Sequence, residues 1–413
     1  MTLKELKGKK ILIVGFAVEG RATLAFLKHF FPDKEIGIAD IKDGPDYLEK
    51  QKDYDLVIKT AGIPRRLITI PCTTATNIFF ANTKGTVIGV TGSKGKSTTA
   101  SLIYSVLKAA GKKTELVGNI GKPMLDFLRG EDDSGTTYVA ELSSYMLEGL
   151  NYSPHISVFL SFFPDHMDYH GGLEKYWEAK LNIVSHAGTE DYFVFNPVYE
   201  RLLKLSKEIK AKPVPFVKAL PFPEGIVPLL GEHNIDNVRA AVTVARILDI
   251  PDAVIAKGIR AFKPLPHRLE NVGTFKGITF YDDAISTTPE STIAALQALT
   301  NVGTIFLGGT DRGYDFTVLA YELILHGTTH IVLFPESGAR IRETILDVFK
   351  EKKQKLPEFF ETSDMKEAVE YAYKNTPKGE ICLLSCASPS YSVWKNFEEK
   401  GALFQHFVKE IGE

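Results

Sequence analysis

The sequence predicts an α/β fold of doubly wound units, and three observations carry that prediction. Short apolar runs such as KILIVG, VIGVTG and TIFLGG alternate with longer amphipathic stretches along nearly the whole chain. Most of these runs are continuously apolar, the pattern of parallel strands covered on both faces. The 413 residues are also enough for two or three domains at about 150 residues each.

In chain order the expected strands are KILIVG, EIGIAD, DLVIKT, VIGVTG, TTYVAELS, ISVFLSFF, DYFVFN, ITFYDD, TIFLGG, HIVLFP and EICLLS. Between them the spacing predicts helices at Thr98–Ala110, Leu173–Ala187, Asn234–Leu248, Thr288–Leu299, Ser337–Lys350 and Met365–Tyr373, with an aromatic-rich one at Tyr391–Val408. Ala211–Pro228 carries five prolines and reads as an irregular surface connection. Seams fall where the polar FANTKG precedes a fresh strand and where FKPLPH breaks a helical run with two prolines. The expected domains are therefore 1–84, 85–264 and 265–413.

Composition excludes several classes. Hydrophobic residues make up 44% and charged ones 24%, far from the disordered range. With 49 basic against 51 acidic residues the net charge is -2, which argues against a nucleic-acid binder living on phosphate neutralisation. Cys72, Cys382 and Cys386 are the only cysteines, too few for a disulfide framework, and a reducing cytoplasm is expected. Cys382 and Cys386 lack further ligands for zinc and read as buried thiols. No apolar run reaches the ~18 residues of a membrane span, and the opening apolar run meets Glu19 and Arg21 without a cleavage site.

The strongest local signal is VIGVTGSKGKSTTASLIYSVLKAAG, a strand, a glycine turn and a helix. Gly92 and Gly95 allow the turn, Ser93 and Lys94 lie within it, and the helix start at Ser97 and Thr98 adds N–H groups and a positive dipole end. Lys96 can reach terminal phosphates and the Ser97 hydroxyl can bind Mg²⁺. Val90 stands where the longer phosphate-loop pattern has glycine. A second strand–turn–helix, GFAVEG from Gly15 to Gly20, has Ala17 where a dinucleotide fingerprint has its middle glycine, with Asp40 after the second strand. A tight turn that binds nothing is nearly as good a reading of that motif. Together the two turns suggest two nucleotide moieties in two domains.

TGSKGKST, GNIG, ELSSYMLE, PDHMDYHGGLEKYWEAKLNI, GEHNIDN, LPHRLE, YDDAISTTPEST, GGTDRGYDF and KNFEEKG follow one another in an order that resembles the Mur ligases. Among these the likeness is strongest to the branch that adds glutamate. It implies three domains: Rossmann-like, central P-loop ATPase with a mostly parallel sheet, and Rossmann-like again. It implies ATP-dependent amide formation between UDP-N-acetylmuramoyl-L-alanine and glutamate through an acyl phosphate, in cytoplasmic peptidoglycan precursor synthesis, by a monomer with no nucleic-acid or membrane partner.

Phosphoryl transfer to a carboxylate crowds negative charge, so cations and metal ions matter more than a base. Glu141 ends a strand where a Mg²⁺-binding carboxylate is useful, and His166, flanked by Asp165 and Asp168, follows the strand ISVFLSFF. Lys180 reads from spacing as solvent-exposed. The resemblance instead implies a catalytic set of Lys96, Glu141, His166 and Lys180, the last as an N-carboxylated lysine, with two Mg²⁺ ions held by Ser97, Glu141, His166 and the carbamate. It implies ATP contacts at residues 92–98 and at Asn234, Asn237, Arg268 and Asp283. Val18, Glu19, Asp40, Thr60, Gly62, Asn119 and Ser143 are implied for the UDP substrate, and Thr287, Arg312, Ser390 and Phe397 for glutamate.

Two departures stand out. Ile285 occupies a position where many relatives have lysine, and LLSCASPSYSVWKNF changes the pocket wall at Pro389, Tyr391 and Ser392. D-glutamate is the expected amino acid, with L-glutamate as the alternative. Competing readings are a folate-polyglutamylating enzyme, which GGTDRG disfavours, an uncoupled P-loop ATPase, and an NAD-dependent oxidoreductase, which Ala17 disfavours.

Overall fold

The apolar runs become strands of three sheets in a computed structural model that describes residues 1–413, apart from the side chain of Asp168. The first sheet holds β1 (Ile11–Val14), β2 (Ile36–Ala39), β3 (Leu56–Lys59) and β4 (Cys72–Thr74), in the order β2-β1-β3-β4. The second holds β5 (Thr86–Thr91), β6 (Thr114–Gly118), β7 (Thr137–Glu141), β8 (Ile156–Phe159), β9 (Tyr192–Phe195) and β10 (Lys212–Pro215), in the order β10-β9-β8-β5-β7-β6. Both are parallel throughout. The third holds β11 (Glu270–Phe275), β12 (Ile278–Asp282), β13 (Val302–Gly308), β14 (His330–Phe334), β15 (Glu358–Glu361) and β16 (Ile381–Leu384), in the order β11-β12-β16-β13-β14-β15. Only the β11–β12 pair in it is antiparallel.

The chain separates into two compact units, one of residues 1–227 with 234–262 and one of 228–233 with 263–413. In the first, one apolar core runs beneath both sheets, with Phe79 meeting Tyr138 edge-on at 5.0 Å. In the second, alternate strand residues feed two cores. Ile305, Leu307, Ile331 and Leu383 face one side, and Phe280, Phe306, Val332 and Leu384 the other. Parallel strands place the loops that follow them at one carboxyl edge, where open α/β sheets bind ligands. No helix among the described residues is long and apolar enough to cross a membrane.

Several elements differ from expectation. The segment read as irregular from Ala211 contains β10. The helix expected over Leu173–Ala187 stops at Leu181 and gives way to turns. The helix expected from Tyr391 starts at Phe397, because the Asn396 side chain accepts a hydrogen bond from Glu399 N (2.9 Å) and caps it there.

Candidate active site

Between β5 and the helix Lys96–Ala109 the backbone turns through two left-handed glycines, Gly92 (φ +155°) and Gly95 (φ +87°). At Gly95 a Cβ would also collide with Asn237 Oδ1. Asn237 is held there by Thr99 Oγ1, which donates to Oδ1 (3.1 Å), and by its own Nδ2, which donates to Asn234 Oδ1 (2.9 Å). The loop after β8 braces the turn: Ser93 N donates to Ser161 O (2.8 Å) and Lys94 N to Ser161 Oγ (3.0 Å). Lys96 Nζ donates to the Gly92 and Ser93 carbonyls, each at 3.0 Å. Ser97 and Thr98 lie buried in the first helical turn. The backbone N–H groups at a helix start form an anion site.

Glu141 is the last residue of β7, in register with Val90 on β5, and is 1% exposed. Its Oε1 accepts from Asn119 Nδ2 (3.0 Å), while Oε2 is buried with no hydrogen-bond partner among the described residues. An ionised oxygen left in that state is costly unless something binds it. Ser143 caps the short helix Ser144–Leu147, its Oγ accepting from Met146 N (3.3 Å).

The structure corrects the spacing-based reading of Lys180, which is 1% exposed. Its Nζ donates to Gly92 O (2.9 Å) and lies 4.8 Å from the centre of the Tyr176 ring. Burial, reinforced by the charge of Lys96, holds its pKa well below the ordinary lysine value. His166 adopts a left-handed backbone (φ +54°), with Nε2 3.6 Å from Asp165 Oδ2. Burial pushes its pKa down to about 4 against the pull of Asp165, so the imidazole is neutral, the form that binds metals. Asp168, the other expected neighbour, has its side chain outside the described residues. An orphaned carboxylate oxygen and a hydroxyl are oxygen donors of the kind that Mg²⁺ takes.

In the same unit, Val18, Glu19 and Asn119 line a cavity of about 310 Å³. Glu19 Oε2 accepts from Ala61 N (2.8 Å), and burial raises its pKa. Asp40, Thr60, Gly62 and Ser143 do not line this cavity. Asp40 instead braces the first turn, its Oδ2 accepting from Phe16 N (2.6 Å), and Thr60 Oγ1 donates to Val14 O (3.2 Å). Sequence reasoning missed Thr76, Met124 and Met146, which also line this cavity. The buried Thr76 hydroxyl, which has no partner among the described residues, carried no motif.

The four residues expected to hold glutamate belong to the second unit. Thr287 follows β12, Arg312 follows β13, and Ser390 and Phe397 follow β16. These three strands are adjacent, so their loops emerge side by side. Thr310 N donates to Pro389 O (2.8 Å) and ties two of the loops together. Ser390 is buried and its Oγ has no partner among the described residues, whereas Arg312 is exposed. Asp283 Oδ1 accepts from Leu269 N (3.2 Å) and Oδ2 from Ser385 Oγ (2.8 Å), and burial pushes its pKa up to about 7. Ile285, the residue in place of the usual lysine, anchors the turn by its backbone, its N donating to His267 O (3.2 Å).

Residues 90–219 match the Mur ligase middle domain, and residues 267–387 match the Mur ligase, glutamate ligase domain. The chain is 31% identical to the UDP-N-acetylmuramoyl-L-alanine–L-glutamate ligase of Salinispora tropica, across 99% of both chains. It is equally 31% identical to the UDP-N-acetylmuramoylalanine–D-glutamate ligase of Streptococcus pyogenes, across 97% of both. Among solved structures it resembles the MurF ligase of Thermotoga maritima in complex with ADP, with TM-score 0.64, 17% identity and coverage of 99% of this chain and 98% of that one. The UDP-N-acetylmuramate–alanine ligase MurC of the same organism gives TM-score 0.63 at 19% identity, covering 98% and 99%. These likenesses extend the shared fold over essentially the full length.

Proposed function

The chain belongs to the Mur ligase family, and from that premise we propose that this ATP-dependent ligase joins glutamate, as the D-enantiomer, to UDP-N-acetylmuramoyl-L-alanine. Residues 1–84 take the UDP-sugar, 85–264 take ATP and 265–413 take the amino acid, in a cytoplasmic monomer. The acceptor carboxylate receives the γ-phosphoryl group of ATP, the glutamate amine adds to the acyl phosphate, and phosphate departs from the tetrahedral intermediate.

The observation that carries the reading is the buried Glu141 Oε2, without a partner among the described residues, on the strand next to a lysine-bearing turn. Lys96 and the N–H groups of residues 92–98 hold and polarise the phosphates, a preorganised arrangement that favours the charge-dispersed transition state. Mg²⁺ would be held by Ser97, Glu141, His166 and a carbamate on Lys180, and would neutralise phosphate charge there. The depressed pKa of Lys180 favours its neutral amine, the form that adds carbon dioxide. Asn234 and Asn237 serve the nucleotide, a role we also propose for Arg268 and Asp283. Val18, Glu19 and Asn119, at the 310 Å³ cavity, serve the UDP substrate with Asp40, Thr60, Gly62 and Ser143. Thr287, Arg312, Ser390 and Phe397 take the amino acid, and the Arg312 fork suits its side-chain carboxylate.

The Salinispora relative keeps L-glutamate as a second reading, since it is as similar as the D-glutamate ligases. The test is ADP formation from ATP in parallel reactions with D- and L-glutamate. ADP should appear only when both UDP-N-acetylmuramoyl-L-alanine and one enantiomer are present. Equal release without the acceptor or the amino acid would overturn the ligase reading.

A further inference from the structure

Arg268 lies between two residues in left-handed backbone, His267 (φ +60°) and Leu269 (φ +48°). For residues other than glycine such geometry is strained and persists only where the surroundings impose it. Here two consecutive aspartates impose it. His267 Nδ1 lies 2.6 Å from Asp282 Oδ2, and Leu269 N donates to Asp283 Oδ1 at 3.2 Å. His267 N donates to Glu270 Oε2 (2.9 Å), and its carbonyl accepts from Ile285 N (3.2 Å).

The last helix closes this arrangement. Gln405 Nε2 donates to both Asp282 Oδ2 (2.8 Å) and Glu270 Oε2 (2.9 Å). A Cβ on Gly401 would collide with His267 Nδ1 and stand 2.8 Å from Asp282 Oδ2, so the glycine of KNFEEKG leaves room for the pair. Asp282 is fully buried, and its hydrogen bond raises the pKa of His267, which favours Nδ1–H as the donor. His267, Glu270 and Asp282 bring possible ligand atoms within 4.8 Å of one another. A 2.6 Å separation is nevertheless a direct hydrogen bond, and Gln405 supplies a donor to each carboxylate.

We infer that Asp282 is a positioning residue that acts through His267 to set the direction of Arg268. The inference rests on the nucleotide role proposed above for Arg268. In Asp282→Asn the Oδ1 acceptor for Ala284 N (3.0 Å) can remain, while an amide NH₂ then faces His267 and Gln405. Gly401→Ala presses on the same pair without changing any charge.

The experiment measures ATP affinity of the full chain by calorimetry for wild type, Asp282→Asn, Gly401→Ala, Arg268→Ala and the two double variants with Arg268→Ala. Each of the first two single variants should weaken ATP binding by about tenfold. Each double variant should bind no more weakly than Arg268→Ala alone, because the pair acts only through that side chain. Unchanged affinity in both Asp282→Asn and Gly401→Ala, or losses that add to that of Arg268→Ala, would overturn the inference. Turnover of the wild type with acceptor and glutamate tests the proposed reaction separately. Its absence would remove that reaction and leave the binding comparison to decide the role of Asp282.

Discussion

Asn237 Oδ1 fills the space that a side chain on Gly95 would need, so a residue from the helix Glu232–Ile247 dictates glycine in the turn after β5. Alanine at 95 would meet that oxygen and also have to hold φ +87°, which costs an L-residue about 1–2 kcal/mol. Gly95→Ala should therefore lower thermal stability modestly and weaken ATP binding by about tenfold or more, as the loop N–H groups are re-aimed. Calorimetric ATP affinity equal to wild type would show that the turn tolerates the change.

Glu141 pits stability against function. Its Oε2 is buried and has no partner among the described residues, a condition that costs roughly 1–3 kcal/mol. Glu141→Gln removes the charge at nearly constant shape. It should leave the melting temperature unchanged or higher while turnover falls by about a hundredfold or more. A variant with normal turnover, assayed across Mg²⁺ concentrations, would exclude Glu141 from metal binding.

The partly buried Lys96 and the buried Lys180 should fail in different ways. Lys96→Ala should abolish turnover by removing the cation at the phosphates. Lys180→Ala should be equally inactive but regain part of its rate when formate or acetate is added, since a small carboxylate can stand in for a carbamate. Rescue is read as ADP formed with and without the additive, and full activity of the unrescued variant would refute the modification.

Asp283 makes stability depend on pH with a defined sign. Its folded pKa of about 7 lies above the ordinary aspartate value because it is buried. The folded state thus holds a proton that the unfolded chain has already lost, and this contribution fades as pH rises through 7. His267, also raised, acts in the same direction, its share being present below the ordinary histidine value and lost above its raised one. Asp283→Asn should therefore gain more melting temperature over wild type at pH 8 than at pH 5. An equal gain at both values would show that Asp283 titrates normally.

What the sequence revealed about the fold has a physical boundary. Central strands such as β5, β8 and β13 are buried on both faces and announce themselves as apolar runs. The five strands that pattern reading missed, β4, β6, β10, β11 and β15, all lie at the edge of a sheet. There one side meets solvent, and segments such as EFFE and KPVP need no apolar run. The glycine turn between β5 and its helix was legible because its signal is local. The burial of Lys180 was not, because its partner is the carbonyl of Gly92, 88 residues away. The Asp282–His267 pair was hidden for the same reason: neither LPHRLE nor YDDA states that a glycine on the last helix makes space for their meeting.

The outermost strand of the second sheet shows what its prolines accomplish. Lys212 N and Phe216 N point inward to the Asp191 and Phe195 carbonyls of the β9 side (2.8 and 3.0 Å). By strand alternation, positions 213 and 215 turn their backbone nitrogens outward. Both are proline, so the rim offers no N–H there to a passing strand. A stray chain, or a second copy of this one, meets a border that cannot be zipped onto, and the sheet ends where the fold intends.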